Sequence, residues 1–436
     1  MQGMTMDHGK PAEIDRPFGL WTATALVVGG TIGAGIFVLP GQLASYGHTS
    51  VVGWVVAIAG TMLLGLTIGA LVQARPAATG LMELCSDGLG AGASVLIGWA
   101  YWVSVWASMA VLATTGANYL AVFIPALDSV LLKGLFAIAL IWLITGLNLM
   151  GARAAGRFQV LTTLLKLLPL VAVIVILLGL LLGGGHEFAV SRQAPYEISQ
   201  LPGVLNLVFY ALVGFETAAM AAERVRNPER NVPLATIGGV ALIGLLYVTV
   251  STGIAFAMPT DQLAASGAPV ADFVTRYWGA WAGLAVAGFT AVSAIGCLNA
   301  WVLISGEVPL SMARSGLISA RIGRLSQHGI AWQPVIAASV CASALILSNL
   351  SRGTSGLYDF MMRLTSSTNL ILYIGVCIVA LRFGINKWLA GAALLFSLGT
   401  LWGSGLEVAL WSGLLLLTAL PLHLLNLRQR KGSAAG

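Results

Sequence analysis

The sequence predicts an all-α integral membrane protein with twelve transmembrane helices. Three observations carry that reading: 58% of the 436 residues are hydrophobic, only 9% are charged, and apolar runs of about 20 residues, each able to cross a hydrocarbon core as a helix, recur from end to end. The mean hydropathy of +0.90 agrees. Soluble chains carry about 25% charged residues, so the composition excludes one. A formal charge of +6 would suit nucleic acid, but the cations stand singly between apolar runs instead of clustering. Nucleic acid is therefore excluded, and the lipid bilayer is the expected surrounding.

Runs bounded by charge, Pro or Gly place the spans near 19–46, 50–74, 91–124, 129–149, 158–183, 200–224, 234–258, 279–310, 334–350, 364–381, 387–403 and 408–426. The first contains Val28-Gly29-Gly30-Thr31-Ile32-Gly33-Ala34-Gly35-Ile36-Phe37; each glycine weakens a helix by roughly 1 kcal/mol relative to Ala, so an interruption is expected there. The third is long enough to be tilted or to run beyond the bilayer. The fifth carries Lys166 within Leu164-Leu165-Lys166-Leu167-Leu168-Pro169. The sixth reads Tyr210-Ala211-Leu212-Val213-Gly214-Phe215-Glu216-Thr217, which sets a glycine and a carboxylate near mid-membrane.

The first ten spans divide into two five-helix halves, 19–183 and 200–381, and 387–426 holds the last two. Gly-interrupted spans 1 and 6 then occupy corresponding positions, the sequence pointer to a transporter built from inverted repeats. Close helix packing through small-xxx-small spacing is the alternative for the first; Gly30, Gly33 and Gly35 within six residues favour unwinding. Residues 1–18 and 427–436 form polar tails. Asp7, Lys10, Glu13, Asp15 and Arg16 precede the first run, so no cleavable signal peptide is expected. An even number of spans puts both tails on one side. Sixteen Lys and Arg then fall in the segments on that side, Arg75, Arg226, Arg230, Arg314, Arg321 and Arg324 among them, against Lys133, Arg192, Arg276, Arg352 and Arg363 on the other. The bias makes the tails cytoplasmic.

At this point the chain resembles the amino acid/polyamine/organocation superfamily of secondary transporters, in its basic amino acid and polyamine antiporter branch. The resemblance rests on Gly29 to Pro40, on Gly214-Phe215-Glu216-Thr217-Ala218, and on the connection Arg226-Asn227-Pro228-Glu229-Arg230-Asn231-Val232-Pro233 with Ala235-Thr236-Ile237-Gly238-Gly239 after it. It covers essentially the whole chain. It implies a leucine-transporter-like fold, two inverted five-helix repeats plus two helices, with helices 1 and 6 unwound mid-membrane. It also implies an inner-membrane location, and a homodimer whose candidate interface is helices 11 and 12.

Unwound backbone offers donors and acceptors to a zwitterion without adding charge. By resemblance, amides around Gly33, Ala34 and Gly35 take a carboxylate and carbonyls near Gly30, Thr31, Tyr210 and Val213 take an ammonium, with Ile32 and Gly214 also expected at the substrate site. Ala34 stands where related antiporters have serine. Aligned with the arginine/agmatine antiporters, Met109 takes the place of an asparagine that faces the guanidinium, and Tyr210 that of a stacking tryptophan. Trp301 is kept. Plain helix packing is the competing reading of Met109 and Tyr210, and intrahelical bonding that of Ser366 and Ser367 near the expected pocket. These replacements point to a neutral apolar amino acid as the preferred substrate, with a basic amino acid or polyamine exchanged as the alternative.

Ionisable groups inside spans are functional candidates because their burial is costly. Glu216 matches a family glutamate beside the helix 6 break; its competing reading is a structural carboxylate bonded to freed amides. Lys166 falls where proton-coupled permeases of the superfamily carry a lysine, which assigns it the coupling proton, with a permanently charged strut as the rival role. A polytopic enzyme is excluded, for no HExxH, nucleophile/base pair or paired aspartates lie in the spans. No GxxxxGK[ST] occurs, so ATP is not the energy source. The four cysteines form no CxxC, and neither metal nor cofactor is expected. The expected partners are an amino acid and a proton or counter-substrate. A non-transporting sensor is the outside alternative.

Overall fold

In a hydrocarbon environment backbone N–H and C=O groups find no water, so an apolar run satisfies them internally as a helix. The computed structural model describes residues 19–75, 81–127, 129–150, 165–185, 188, 194–220, 225–327, 329–421 and 423, and these are helical almost throughout. The polar tails and the start of the fifth expected span, 158–164, lie outside the described residues.

The first run is two helices, α1 (Leu20–Thr31) and α2 (Gly35–Leu43), the second continued by the 3-10 turn Ala44–Tyr46. Then come α3 (His48–Ala74), the short α4 (Leu81–Leu89), α5 (Ala91–Ala121), α6 (Val130–Leu149), α7 (Leu167–Leu182), α8 (Leu201–Leu212) and α9 (Thr217–Met220). The second half of the chain forms α10 (Pro228–Ala257), α11 (Thr260–Ala265), α12 (Pro269–Trp278), α13 (Ala280–Arg314), α14 (Trp332–Asn349), α15 (Gly353–Arg382), α16 (Lys387–Trp402) and α17 (Leu406–Leu417).

Among the described residues six stretches are long and apolar enough to cross a membrane, the last of them α14 and α15 joined through the turn at Leu350–Arg352. Two bent pairs raise the number to eight: α1 with α2, turning by 50°, and α16 with α17, turning by 109°. Helices α7 and α8 are apolar but shorter.

Three helices escape the reading of apolar runs. Helix α4 is amphipathic, burying Leu81, Leu84 and Cys85 while Glu83 and Asp87 stay on its polar side. Helices α11 and α12 fold the expected connection at 259–278, with Phe273 and Val274 turned inward. Helix α15 begins eleven residues before the expected span, because the charges that bound the apolar run, Asp359 and Arg363, pair with each other one turn apart at 2.9 Å.

Helix α5 is the axis of the molecule. Every residue from Ala100 to Tyr119 is buried, and α13, α15 and α6 pack around it. Its 31 residues, at about 1.5 Å each, exceed the roughly 30 Å of a hydrocarbon core.

The connections gather at two ends. At one, the His48 N–H donates to the Ala194 carbonyl at 3.1 Å, the Glu197 N–H to Thr49 Oγ1 at 2.9 Å, and Arg352 pairs with Glu407. At the other, the Arg75 guanidinium sits 4.2 Å from the Phe383 ring centroid, and Gln73 Nε2 donates to the Glu229 carbonyl at 2.7 Å.

Candidate functional site

The site is built where two helices lose their backbone ladders opposite each other. In the first, the Ile32 N–H closes the last bond of α1 on the Val28 carbonyl at 3.1 Å, and the Phe37 N–H opens the next turn on Ala34 at 3.0 Å. Ile32 itself is extended. Carbonyls at the end of a helix need other donors, and three side chains from three helices supply them. Lys166 Nζ, beside α7, donates to the Gly29 carbonyl at 3.3 Å. The Tyr247 hydroxyl of α10 donates to Thr31 at 3.2 Å. The Cys297 thiol of α13 donates to Ile32 at 3.4 Å.

In the second, α8 ends at Leu212, Val213 is extended, and Gly214 takes a φ of 107°, a region that L side chains avoid. The Gly214 N–H donates to Glu216 Oε2 at 3.1 Å. That carboxylate is buried and so acts as a local cap. The Thr217 hydroxyl lies 3.0 Å from the Leu26 carbonyl and 2.9 Å from that of Gly214. It ties the second break to α1.

The two breaks meet backbone to backbone. A Cβ on Gly35 would stand 2.6 Å from Ala211 Cβ, and one on Gly214 would stand 2.5 Å from the Gly30 carbonyl oxygen. Only glycine permits this approach.

Between them lies a cavity of about 20 Å³ lined by Gly30, Thr31, Gly33, Ala34 and Gly35, by Ser108 and Leu112 of α5, by Tyr210, Ala211 and Val213, and by Trp301 of α13. That volume suits a water molecule and is too small for an amino acid. Of the residues expected from sequence, Gly30, Thr31, Gly33, Ala34, Gly35, Tyr210, Val213 and Trp301 come together here. None of the lining residues is charged.

Four expected residues lie elsewhere. Ile32 is buried, with its carbonyl held by Cys297, and Gly214 packs against Gly30 behind the cavity. Met109 is fully buried in the core: successive helical residues differ by about 100°, and Ser108 with Leu112, four apart, hold the face toward the cavity. Ser367 accepts from Asn206 Nδ2 at 3.3 Å, between α15 and α8, and the same amide donates to the Thr400 carbonyl at 3.0 Å.

Tyr247 and Cys297 were not singled out from sequence. A tyrosine inside an apolar run is a usable signal, since a buried hydroxyl needs a partner; a lone cysteine carries none.

The sequence profile of the amino acid permease family matches residues 18–423. The cadaverine/lysine antiporter of Escherichia coli strain K12 is 28% identical over 385 residues, covering 85% of each chain. An arginine/ornithine antiporter of Latilactobacillus sakei is 26% identical over 391 residues, 87% of this chain and 81% of the relative. The putrescine transporter PotE of Escherichia coli strain K12 is 25% identical over 364 residues, 82% and 81% of the two chains. These relatives are transporters and not enzymes, and with its paired helix breaks and the profile match over nearly its whole length, the chain belongs to the amino acid permease family.

Proposed function

We propose that this protein is a secondary antiporter that exchanges a basic amino acid for a related amine by alternating access, with substrate held between the two helix breaks. The observation that carries the reading is the cavity itself, framed by freed backbone of residues 30–35 and by two aromatic side chains, Tyr210 and Trp301. Amides at the start of α2 suit a carboxylate, and carbonyls of Gly30, Tyr210 and Val213 suit an α-ammonium. An aromatic face attracts a distal cation by about 0.5–2 kcal/mol. Carboxylate-free amines of the kind carried by the cadaverine/lysine relative lose the first contact and keep the others.

This replaces the expectation of a neutral apolar substrate. That expectation leaned on Met109 as a pocket residue, whereas Ser108 takes the cavity face, and the relatives' names are those of lysine, arginine, ornithine, cadaverine and putrescine carriers. Counterflow into proteoliposomes tests it. Lysine, ornithine, arginine and diamines should compete with labelled lysine roughly tenfold better than leucine does, and a preference for leucine overturns the reading. Ser108→Leu should fill the cavity and abolish counterflow. The volume-conserving Met109→Leu should retain it, at a cost of less than about 1.5 kcal/mol in stability.

The proposal includes the finer architecture: twelve spans, two inverted five-helix repeats, unwound helices 1 and 6, and cytoplasmic tails. The sixteen-to-five cation bias supports it, as does the meeting of 48–49 with 194–197 at one end and of Arg75 with Phe383 at the other. Single cysteines introduced by Arg321→Cys and Asp261→Cys should react with an impermeant thiol reagent from opposite sides of the membrane. Reaction of both from one side sinks this topology. Trp388, Trp402 and Leu406 stand exposed on α16 and α17, which suits lipid or the expected second copy. Lys166 is assigned the coupling proton, with Glu216 next in line.

A further inference from the structure

The end of the molecule that the proposed topology places outside holds one arginine whose partners lie in four segments, its own helix included. Arg363 of α15 is largely enclosed, its side chain 11% exposed. Its Nε donates to both carboxylate oxygens of Asp359, at 2.9 and 3.0 Å. Nη1 donates to the Gly203 carbonyl at 3.1 Å and to the Gly403 carbonyl at 2.9 Å. Nη2 donates to the Tyr46 hydroxyl at 3.2 Å. One nitrogen reaches both carbonyls because the chains touch there, a Cβ on Gly403 falling 1.7 Å from the Pro202 carbonyl oxygen. The planar fork of a guanidinium, with five donors in fixed directions, meets such a set where an ammonium cannot.

The four segments differ in kind. Gly203 lies in the first turn of α8, and Tyr46 closes the turn that continues α2; both belong to the outer halves of the broken helices. Asp359 lies within the unbroken α15, and Gly403 follows the last residue of α16. The breaks at residues 32–34 and 213–216 are the places where α2 and α8 can swing.

We propose that Arg363 is the outer latch of the transport cycle, a positioning residue that pins the outer halves of both broken helices to α15 and α16 and so keeps the cavity closed on that side. The inference rests on the alternating-access reading above. Opening outward breaks the contacts to Tyr46 and Gly203, and the pair with Asp359 keeps the guanidinium in place for reclosure. Loss of a donor shifts the equilibrium toward the outward-open form.

The test reads sidedness, which a merely structural role does not move. In right-side-out and inside-out vesicles, the thiol introduced by Ser108→Cys is titrated with an impermeant thiol reagent, with the protein lacking that thiol as background. Adding Arg363→Lys or Tyr46→Phe should raise the outside labelling rate roughly tenfold, the size of one charge-assisted hydrogen bond, and lower the inside rate. Tyr46→Phe removes one hydroxyl and keeps the test open where an arginine variant fails to fold. Unchanged labelling from both sides in both variants overturns the latch. Lysine counterflow by the unsubstituted protein is measured in parallel. Its absence alongside shifted labelling refutes the transport reading and leaves the latch standing.

Discussion

Lys166→Ala should abolish the accumulation of substrate driven by an imposed pH gradient. Lys166 is 1% exposed, and its Nζ donates to the Gly29 carbonyl at 3.3 Å, where α1 gives up its ladder. Removing it leaves a carbonyl to be satisfied at the break, a cost of about 1–3 kcal/mol. That is enough to change the balance between two conformations by roughly tenfold or more. In the proposed coupling role this contact links Lys166 to the position of α1, and through it to the substrate. Exchange between two substrates needs no net proton movement, so it should survive at a reduced rate. Net uptake and exchange measured separately, with and without the gradient, distinguish this from a permanently charged strut. Full accumulation by the alanine variant removes Lys166 from the coupling role and makes Glu216 the next group to substitute.

Gly214→Ala should damage both the fold and the site. Its φ of 107° costs a non-glycine residue about 1–3 kcal/mol. The added Cβ would stand 2.5 Å from the Gly30 carbonyl oxygen, and such overpacking costs a further 1–3 kcal/mol or so. The neighbour cannot yield, for Gly30 belongs to the opposite break, and Thr217 stands within 2.7 Å of the space a Cβ there would need. The expected result is loss of counterflow together with a lower thermal unfolding midpoint in detergent. Gly146→Ala is the control. It lies within α6, with nothing within 4 Å of the new methyl, and should stabilise by roughly 0.5–1 kcal/mol. A Gly214→Ala protein with ordinary midpoint and counterflow would refute the backbone contact between the two breaks.

Both predictions depend on places that differ in how legible they were. The four glycines of 29–35 announced the first break, because each weakens a helix relative to alanine wherever it folds. The Val213-Gly214 step and Glu216 marked the second in the same local way. The neutral-substrate expectation, which the relatives do not support, drew on Met109, one residue from the Ser108 that faces the cavity. The expected start of α15 missed Asp359 and Arg363, two charges that pair with each other while Arg363 also reaches Gly203, Gly403 and Tyr46.

What the sequence by itself determined is the helical, membrane-embedded character of the chain, the two interruptions and the presence of Lys166 and Glu216 within apolar runs. These are local properties: hydrocarbon obliges each run to pair its own backbone, and glycine weakens that pairing in any context. What only the tertiary structure decided is which groups meet. Lys166, Tyr247 and Cys297 reach the first break from 137, 216 and 265 residues away, and Ser108 rather than Met109 looks into the cavity. Contacts of that range depend on the rotation of each helix about its own axis, a quantity set by how neighbouring helices pack and not by the hydropathy of any one run.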